Sequence, residues 1–170
     1  MSSHAHGREP AVRSVVVSVA DIKVSRATDE ELVTYALGSC IAVILYDPIR
    51  CVGGMIHYML PLSQINPEKG RANPAMFADT GVPLLFESVY ALGGKKADLI
   101  VKVAGGGAPL GDSSIFQIGQ RNHTVLRKML WKSSVLVAAE DVGGAAPRTV
   151  RLRMSTGRVT VQTANHVGEL

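Results

Sequence analysis

Two apolar runs on either side of a short turn constrain the fold of this chain more than any other stretch. Ile41 to Tyr46 and Val52 to Leu60 are rich in strand-forming residues. The turn between them, Asp47 to Arg50, begins with Asp and Pro, which β-turns favour at their first two positions. The pattern predicts a β-hairpin. If the hairpin is centred on this turn, Cys40 lies directly opposite His57.

The register of that hairpin decides whether the two side chains meet. A loop with an even number of residues about the same centre keeps Cys40 opposite His57, whereas an odd loop or a bulge puts them on opposite faces. Cys40 could also lie at the start of a helix, or on an irregular turn after Gly38. Directly opposed residues hold their Cβ atoms roughly 4.5–5.5 Å apart, so the predicted register lets the thiol reach the imidazole.

A cysteine beside a histidine is a pair that nucleophilic enzymes use. A free thiol titrates near ~8.5, and a histidine partner or a cluster of backbone N–H groups can lower that pKa. The thiolate attacks a carbonyl carbon, and the histidine protonates the leaving group. Gly38 and Ser39 are small, so backbone amides near Cys40 could face a developing oxyanion. A structural role remains open, because unpaired cysteines are often buried and a lone strand histidine is usually a packed residue.

The composition limits the class of protein. The chain has 170 residues, of which 46% are hydrophobic, so we expect a single α+β domain over residues 14–163, between a flexible tail at 1–13 and a frayed tail at 164–170. The net charge of +4 fits docking on an acidic protein surface, but the basic and aromatic residues are not interleaved as nucleic-acid binding requires. Two cysteines do not make a disulfide framework, and no segment suits a signal peptide or a membrane span. We therefore expect a cytoplasmic protein.

Outside the hairpin, the chain predicts many strands and two main helices. The first helix is expected to begin near Asp79 or Thr80, with Pro83 in its first turn, and to end at Gly93-Gly94. The second is expected over Gln117 to Lys132. Ser63 to Asn73 has few apolar residues and is expected to form a loop. Many strands with two helices favour an α+β fold in which the helices cover one face of a mixed β core.

Two other features resemble binding sites without meeting their requirements. Gly105-Gly106-Gly107 follows a predicted strand, but it lacks the glycine spacing of a dinucleotide site and the Gly-Lys-Ser/Thr of a P-loop. We expect it to pack closely or to form a wall of the active-site cleft. His4 and His6 could bind a metal weakly, but histidines in a tail are usually solvated. We expect neither a cofactor nor a metal.

Several short sequence motifs occur in a fixed order over roughly residues 15 to 160. They are Leu37-Gly38-Ser39-Cys40, Tyr46-Asp47-Pro48, Gly53-Gly54, His57-Tyr58-Met59-Leu60-Pro61, Phe77-Ala78-Asp79, Lys102 to Ala108, Ile118-Gly119, Arg121-Asn122, Glu140 to Gly144 and Arg148. Together they resemble the CheD family of chemoreceptor glutamine deamidases. One block would be a weak signal, but several in order are specific. Phe77 replaces the family's usual Tyr, and Ala104-Gly105 replaces its usual Phe before the glycines.

The resemblance implies a hydrolase that converts particular glutamine side chains of chemoreceptors into glutamates. It implies a Cys–His–Thr arrangement in which Cys40 is the nucleophile, His57 the base and Thr34 the third group. It also implies a layered α/β/β fold similar to the deamidase domain of cytotoxic necrotizing factor toxins. The implied partners are the cytoplasmic helices of chemoreceptors and, in some bacteria, the phosphatase CheC. Taken alone, Thr34 needs no function, because threonine is favoured in strands.

Other functions remain open on the sequence. The same residues could hydrolyse glutamate methyl esters, or could transfer an amine if an amine replaces water. The chain could instead be a regulatory module that binds a CheC-type phosphatase and has weak or no hydrolase activity. A catalytic Cys40 should be alkylated faster than Cys51, with a pH dependence below that of a free thiol, whereas slow and equal alkylation of the two would favour the regulatory module. A peptidase is less favoured, since nothing indicates a long peptide cleft.

Overall fold

The structure is a computed structural model that describes residues 11–109 and 117–170. The first ten residues of the predicted N-terminal tail, including His4 and His6, lie outside the described residues. Within the described ranges, the chain forms ten strands and three α-helices. The strands are β1 (Arg13–Val16), β2 (Asp21–Ser25), β3 (Glu30–Leu37), β4 (Ile41–Asp47), β5 (Val52–Tyr58), β6 (Ile100–Gly105), β7 (Ala139–Val142), β8 (Arg148–Arg153), β9 (Val159–Gln162) and β10 (Val167–Glu169); the helices are α1 (Pro67–Ala72), α2 (Ala78–Ala91) and α3 (Ile118–Lys132).

The strands form two mixed sheets. The outer sheet has the order β1-β3-β8-β9-β10, and the central sheet has the order β2-β5-β4-β6-β7. The pairs β1–β3 and β6–β7 are parallel, and the other pairs are antiparallel. Helices α2 and α3 cover one face of the central sheet, and the outer sheet covers its other face. The predicted α+β fold with an α/β/β layering is therefore confirmed.

Each interface between layers has its own apolar core. Between the helices and the central sheet, residues such as Ile41, Ile56 and Leu126 are fully buried. Between the two sheets, Leu32 and Leu152 lie among the buried residues. Strands β4 and β5 contribute to both cores and are buried along their whole length. Their near-continuous apolar sequences are typical of strands covered on both faces.

The β4–β5 hairpin forms as predicted, but its register is shifted by two residues. Asp47 pairs with Val52 and Ala42 pairs with His57, so the predicted direct opposition of Cys40 and His57 is wrong. The buried Asp47 carboxylate accepts hydrogen bonds from the backbone N–H groups of residues 49 and 50. Asp47 is therefore the last residue of its strand, and the four-residue loop after it ends in Cys51 at a φ of 51°. Because the shift is even, Cys40 and His57 remain on the same face.

Other local expectations need correction. The predicted loop from Ser63 to Asn73 contains helix α1, whose first turn is capped by the side chain of Asn66. Helix α2 begins at Ala78, one residue before the predicted cap, so Pro83 lies inside the helix rather than in its first turn. The expected C-terminal tail instead forms β10, which pairs with β9. None of the helices within 11–109 and 117–170 is long and apolar enough to cross a membrane.

Candidate active site

A threonine and a histidine from different sheets meet between the layers. Thr34 lies on β3 of the outer sheet and is 0% exposed, and His57 lies on β5 of the central sheet and is 1% exposed. Thr34 Oγ1 lies 2.8 Å from His57 Nδ1. The same hydroxyl donates to the carbonyl oxygen of Val17 at 2.7 Å. The packing of the two sheets thus brings together two residues that lie far apart in the sequence.

These two hydrogen bonds fix the tautomer of the imidazole. A threonine hydroxyl has one proton, and that proton is directed to the Val17 carbonyl. The hydroxyl oxygen must therefore accept from His57 Nδ1–H, which leaves Nε2 unprotonated. Nε2 is buried and has no hydrogen-bond partner among the described residues. A buried acceptor without a partner is costly, and such atoms often belong to functional sites.

The surroundings keep His57 neutral. Burial lowers the pKa of the imidazole to about 4, because desolvation disfavours its charged form. At neutral pH the ring therefore has an available lone pair on Nε2 and no net charge. This is the state that a general base needs before it takes a proton.

Cys40 lies on the connection between β3 and β4, immediately before the first residue of β4. It packs against the core between the sheets, as does Ala42, the residue that pairs with His57. Cys40 is thus a diagonal neighbour of His57, a relation that gives a separation of roughly 7–8 Å between Cα atoms. Its thiol is not hydrogen-bonded to Nε2, which has no partner. The contact between nucleophile and base often tightens only when substrate binds.

The electrostatics of Cys40 differ from the sequence-based expectation. Burial raises the pKa of its thiol above the ordinary value, and the residue's own backbone N–H offsets this only in part. The expected lowering of the thiol pKa is therefore not found. At neutral pH the thiol and the imidazole are therefore both uncharged. Any reaction of this thiol as a thiolate requires the removal of its proton.

The glycine cluster holds the backbone that carries Cys40. Gly106 N–H donates to the Cys40 carbonyl, and Gly107 N–H donates to the Gly38 carbonyl, each at 2.8 Å. At Gly105, φ is 110° and an added Cβ would collide with the Cys40 carbonyl. Only glycine suits this position. The close backbone packing predicted for this cluster is confirmed.

Asn122 connects helix α3 to the backbone near Cys40 and to the backbone near His57. Its side chain is fully buried, and its Nδ2 donates to the carbonyls of Ser39 at 3.0 Å and Met59 at 2.9 Å. Ser39 precedes Cys40, and Met59 lies two residues after His57. The hydroxyl of Tyr58 donates to the backbone carbonyl of Asn122 at 2.9 Å. Asn122 therefore binds backbone on both sides, and its presence in a family block was the only sequence signal for it.

A cavity of about 480 Å³ opens next to this site. Its lining includes Ser39, Gly106, Gly107 and the first residues of α3, among them Gly119. Two of the three glycines therefore line this cavity, and their role as a wall of the active-site cleft stays a prediction. The lining also contains Gly143 and Gly144, and Gly143 N–H donates to the Gly105 carbonyl at 3.0 Å. Arg148 holds the loop that carries these two glycines. The Arg148 guanidinium donates to the Gly143 carbonyl at 2.6 Å and to Asp141 at 3.0 Å.

The side chains at this site provide groups for nucleophilic chemistry. They are the thiol of Cys40 and the neutral imidazole of His57, whose Nε2 is a buried acceptor. No group of three or more His, Cys, Asp or Glu side chains in the described part of the chain is arranged to hold a metal ion. The thiol and the imidazole can attack a carbonyl carbon and move a proton to a leaving group.

Comparisons with known proteins point in one direction. A family model described as CheD chemotactic sensory transduction matches residues 59–163. A probable chemoreceptor glutamine deamidase CheD 1 from Syntrophus aciditrophicus is 53% identical over 150 residues, which cover 88% of this chain and 94% of that protein. A probable chemoreceptor glutamine deamidase CheD from Solibacter usitatus is 48% identical over 159 residues, which cover 94% of each chain. A third relative of that description, CheD 2 from Anaeromyxobacter dehalogenans, is 47% identical over 156 residues, covering 92% of this chain and 98% of its own.

The raised thiol pKa predicts how Cys40 reacts with pH. In a Cys51→Ser variant, where Cys40 is the one remaining thiol, the rate of iodoacetamide alkylation should rise with a midpoint at or above the ~8.5 of a free thiol. Below that midpoint the rate should fall about tenfold per pH unit, because only the thiolate is the reactive form. Mass spectrometry of the Cys40 peptide measures the rate. A midpoint near or below neutral pH would show a stable thiolate–imidazolium pair and contradict this description.

Proposed function

Since the chain belongs to the CheD family, we propose that it is a chemoreceptor glutamine deamidase with Cys40 as its nucleophile. It hydrolyses the side-chain amide of particular glutamines in chemoreceptors and releases ammonia. The proposal rests on the hydrogen bond from His57 Nδ1–H to Thr34. This bond leaves Nε2 as a buried acceptor on the face of Cys40, with no hydrogen-bond partner among the described residues. The relatives named above support the substrate class.

The first step is attack on the glutamine amide. His57 Nε2 takes the proton of the Cys40 thiol, and the sulfur forms a bond to the amide carbon. The carbonyl oxygen becomes an oxyanion. In this mechanism the backbone N–H of Cys40 donates a hydrogen bond to this oxygen and stabilises its charge.

The second and third steps release the two products. The protonated His57 gives its proton to the leaving nitrogen, the C–N bond breaks, and ammonia leaves a thioester on Cys40. A water molecule then gives a proton to His57 Nε2 and attacks the thioester carbon. The C–S bond breaks, the thiol is restored by the His57 proton, and glutamate is released. Thr34 accepts the hydrogen bond from Nδ1–H in every step, so Nε2 is the nitrogen that gains and loses the catalytic proton.

The partner and compartment follow from this function. The substrate is a chemoreceptor, and the modified glutamines lie on its cytoplasmic helices. The enzyme acts in the cytoplasm, where free thiols such as Cys40 and Cys51 remain reduced. A CheC-type phosphatase is the further partner that the resemblance suggests. Glutamate methyl-ester hydrolysis would use the same three residues, with methanol as the leaving group in place of ammonia.

Replacement of the nucleophile tests the function. With a chemoreceptor cytoplasmic fragment as substrate, the wild-type protein should release ammonia and convert specific glutamines to glutamates. Cys40→Ala should lower this rate at least about a thousandfold while the protein remains folded, because the covalent route is lost. Cys51→Ala is the matched control and should retain activity. Ammonia release by Cys40→Ala at the wild-type rate would remove the cysteine mechanism, and methanol release from a methylated fragment without any ammonia would indicate the esterase.

The role of Thr34 has its own pair of variants. Thr34→Val keeps the shape of the side chain but leaves Nδ1–H without an acceptor, so the other tautomer, with its proton on Nε2, becomes favoured. We expect kcat to fall roughly 10²- to 10⁴-fold with little change in KM. Thr34→Ser restores the hydroxyl and should remain within about tenfold of wild type. Steady-state ammonia release measures both constants, and equal kcat values for the two variants would rule out the orienting role.

A further inference from the structure

Helix α3 exposes a face with an unusual charge pattern. Between Ile118 and Lys132 it contains four cationic residues and no Asp or Glu. The cations are Arg121, Arg127, Lys128 and Lys132, and all four are exposed. Arg127 has Glu140 within 3.7 Å, on the neighbouring β7. For the other three, no ion-pair partner is found among the described residues. Among the described residues, only Arg127 of these four cations is close to a carboxylate, so the helix presents a basic surface.

The same face carries the one tryptophan of the chain. Trp131 is 80% exposed, and Leu136, just beyond the end of the helix, is 89% exposed. Tryptophan is a large apolar side chain that is rarely left in water and is enriched at the centres of protein interfaces. A tryptophan among cations is typical of a surface that binds a partner which is both acidic and partly apolar.

The exposed face of α3 begins at the cavity described above. Gln120, Thr124, Arg127 and Trp131 follow one another at intervals of three or four residues, so they lie along one side of the helix. Gln120 and the adjacent His123 line the cavity beside Ser39. At 1.5 Å per residue, Trp131 lies about 16 Å along the helix from Gln120. A protein segment whose glutamine enters the cavity can therefore extend over the helix as far as Trp131.

We propose that this surface, the α3 face (Gln120, Arg121, Thr124, Arg127, Lys128, Trp131 and Lys132), docks an acidic α-helical segment of the protein substrate. The proposal rests on the proposed function, because it takes the substrate to be a helical receptor domain. The carboxylates of the segment lie against the lysines and arginines, and an apolar side chain of the segment covers Trp131. Docking of this kind selects the protein substrate and fixes which glutamine reaches Cys40.

Tryptophan fluorescence tests the contact without any change to the α3 face. The probe is a chemoreceptor cytoplasmic fragment without tryptophan, titrated into the Cys40→Ala variant so that no turnover occurs. Trp131 is the sole tryptophan, so its emission reports only this surface. We expect a blue shift that saturates as the fragment binds and weakens at high salt. Binding seen by calorimetry with unchanged Trp131 emission would overturn the proposal, as would the absence of any binding.

Charge reversal tests the role of the cations with a matched control. Lys128→Glu/Lys132→Glu should weaken the affinity for the fragment at least about tenfold at low ionic strength. Arg26→Glu/Lys69→Glu changes the net charge equally at exposed sites outside α3, and should change the affinity less than about twofold. Equal effects of the two pairs would mean that only the overall charge matters and would overturn the proposal. Circular dichroism confirms that both pairs are folded.

An anionic membrane is the other surface that basic residues and a tryptophan can bind. Vesicles of phosphatidylserine and phosphatidylcholine provide the comparison. The proposal predicts that Trp131 emission responds to the fragment and not to the vesicles; a response to vesicles alone would overturn it. These measurements use a variant without the nucleophile, so their outcome is independent of ammonia release. A functional deamidase whose α3 face does not bind the fragment would disprove the docking surface and leave the proposed function intact.

Discussion

The hydrogen bond between Thr34 and His57 is the interaction on which the rest of the site depends. It crosses from the outer sheet to the central sheet, so it exists only when the two sheets are packed together. It also fixes the imidazole tautomer, since the threonine proton is directed to the Val17 carbonyl. The buried core between the sheets therefore has two consequences. It stabilises the fold, and it holds a neutral imidazole whose acceptor nitrogen lies on the face of Cys40.

The helical layer supports the same site from the other side. Asn122 on α3 binds the backbone on both sides of the pair, at Ser39 and at Met59. Gly119, near the start of the same helix, lies so close to the glycine cluster that an added Cβ would collide with the Gly107 carbonyl. The helical layer and both sheets thus contribute to the site formed by Thr34, His57 and Cys40. The active site is a product of the layering, and a change in how the layers pack would change its geometry.

Much of the central sheet could be predicted from the sequence, and the reasons for the misses are physical. The β4–β5 hairpin follows from strand propensity and turn residues, and the face shared by Cys40 and His57 follows from the even length of its loop. The two-residue shift does not follow, because it depends on Asp47 ending the strand and capping the turn. Thr34 could not be placed from local pattern, since its contact with His57 arises only when distant strands pack. The C-terminal strand β10 was missed because its pairing with β9 is tertiary and its composition is that of a loop.

In the proposed mechanism a receptor glutamine becomes bound to Cys40 through a thioester. Rapid acid quenching of the protein with a receptor fragment, followed by mass spectrometry of the Cys40 peptide, detects this intermediate. We expect a transient adduct equal in mass to the fragment minus ammonia, cleaved by hydroxylamine and located on Cys40 rather than Cys51. Glutamate that accumulates while the Cys40 peptide stays unmodified at every quench time, from a protein that remains active after Cys40 is alkylated, would contradict it.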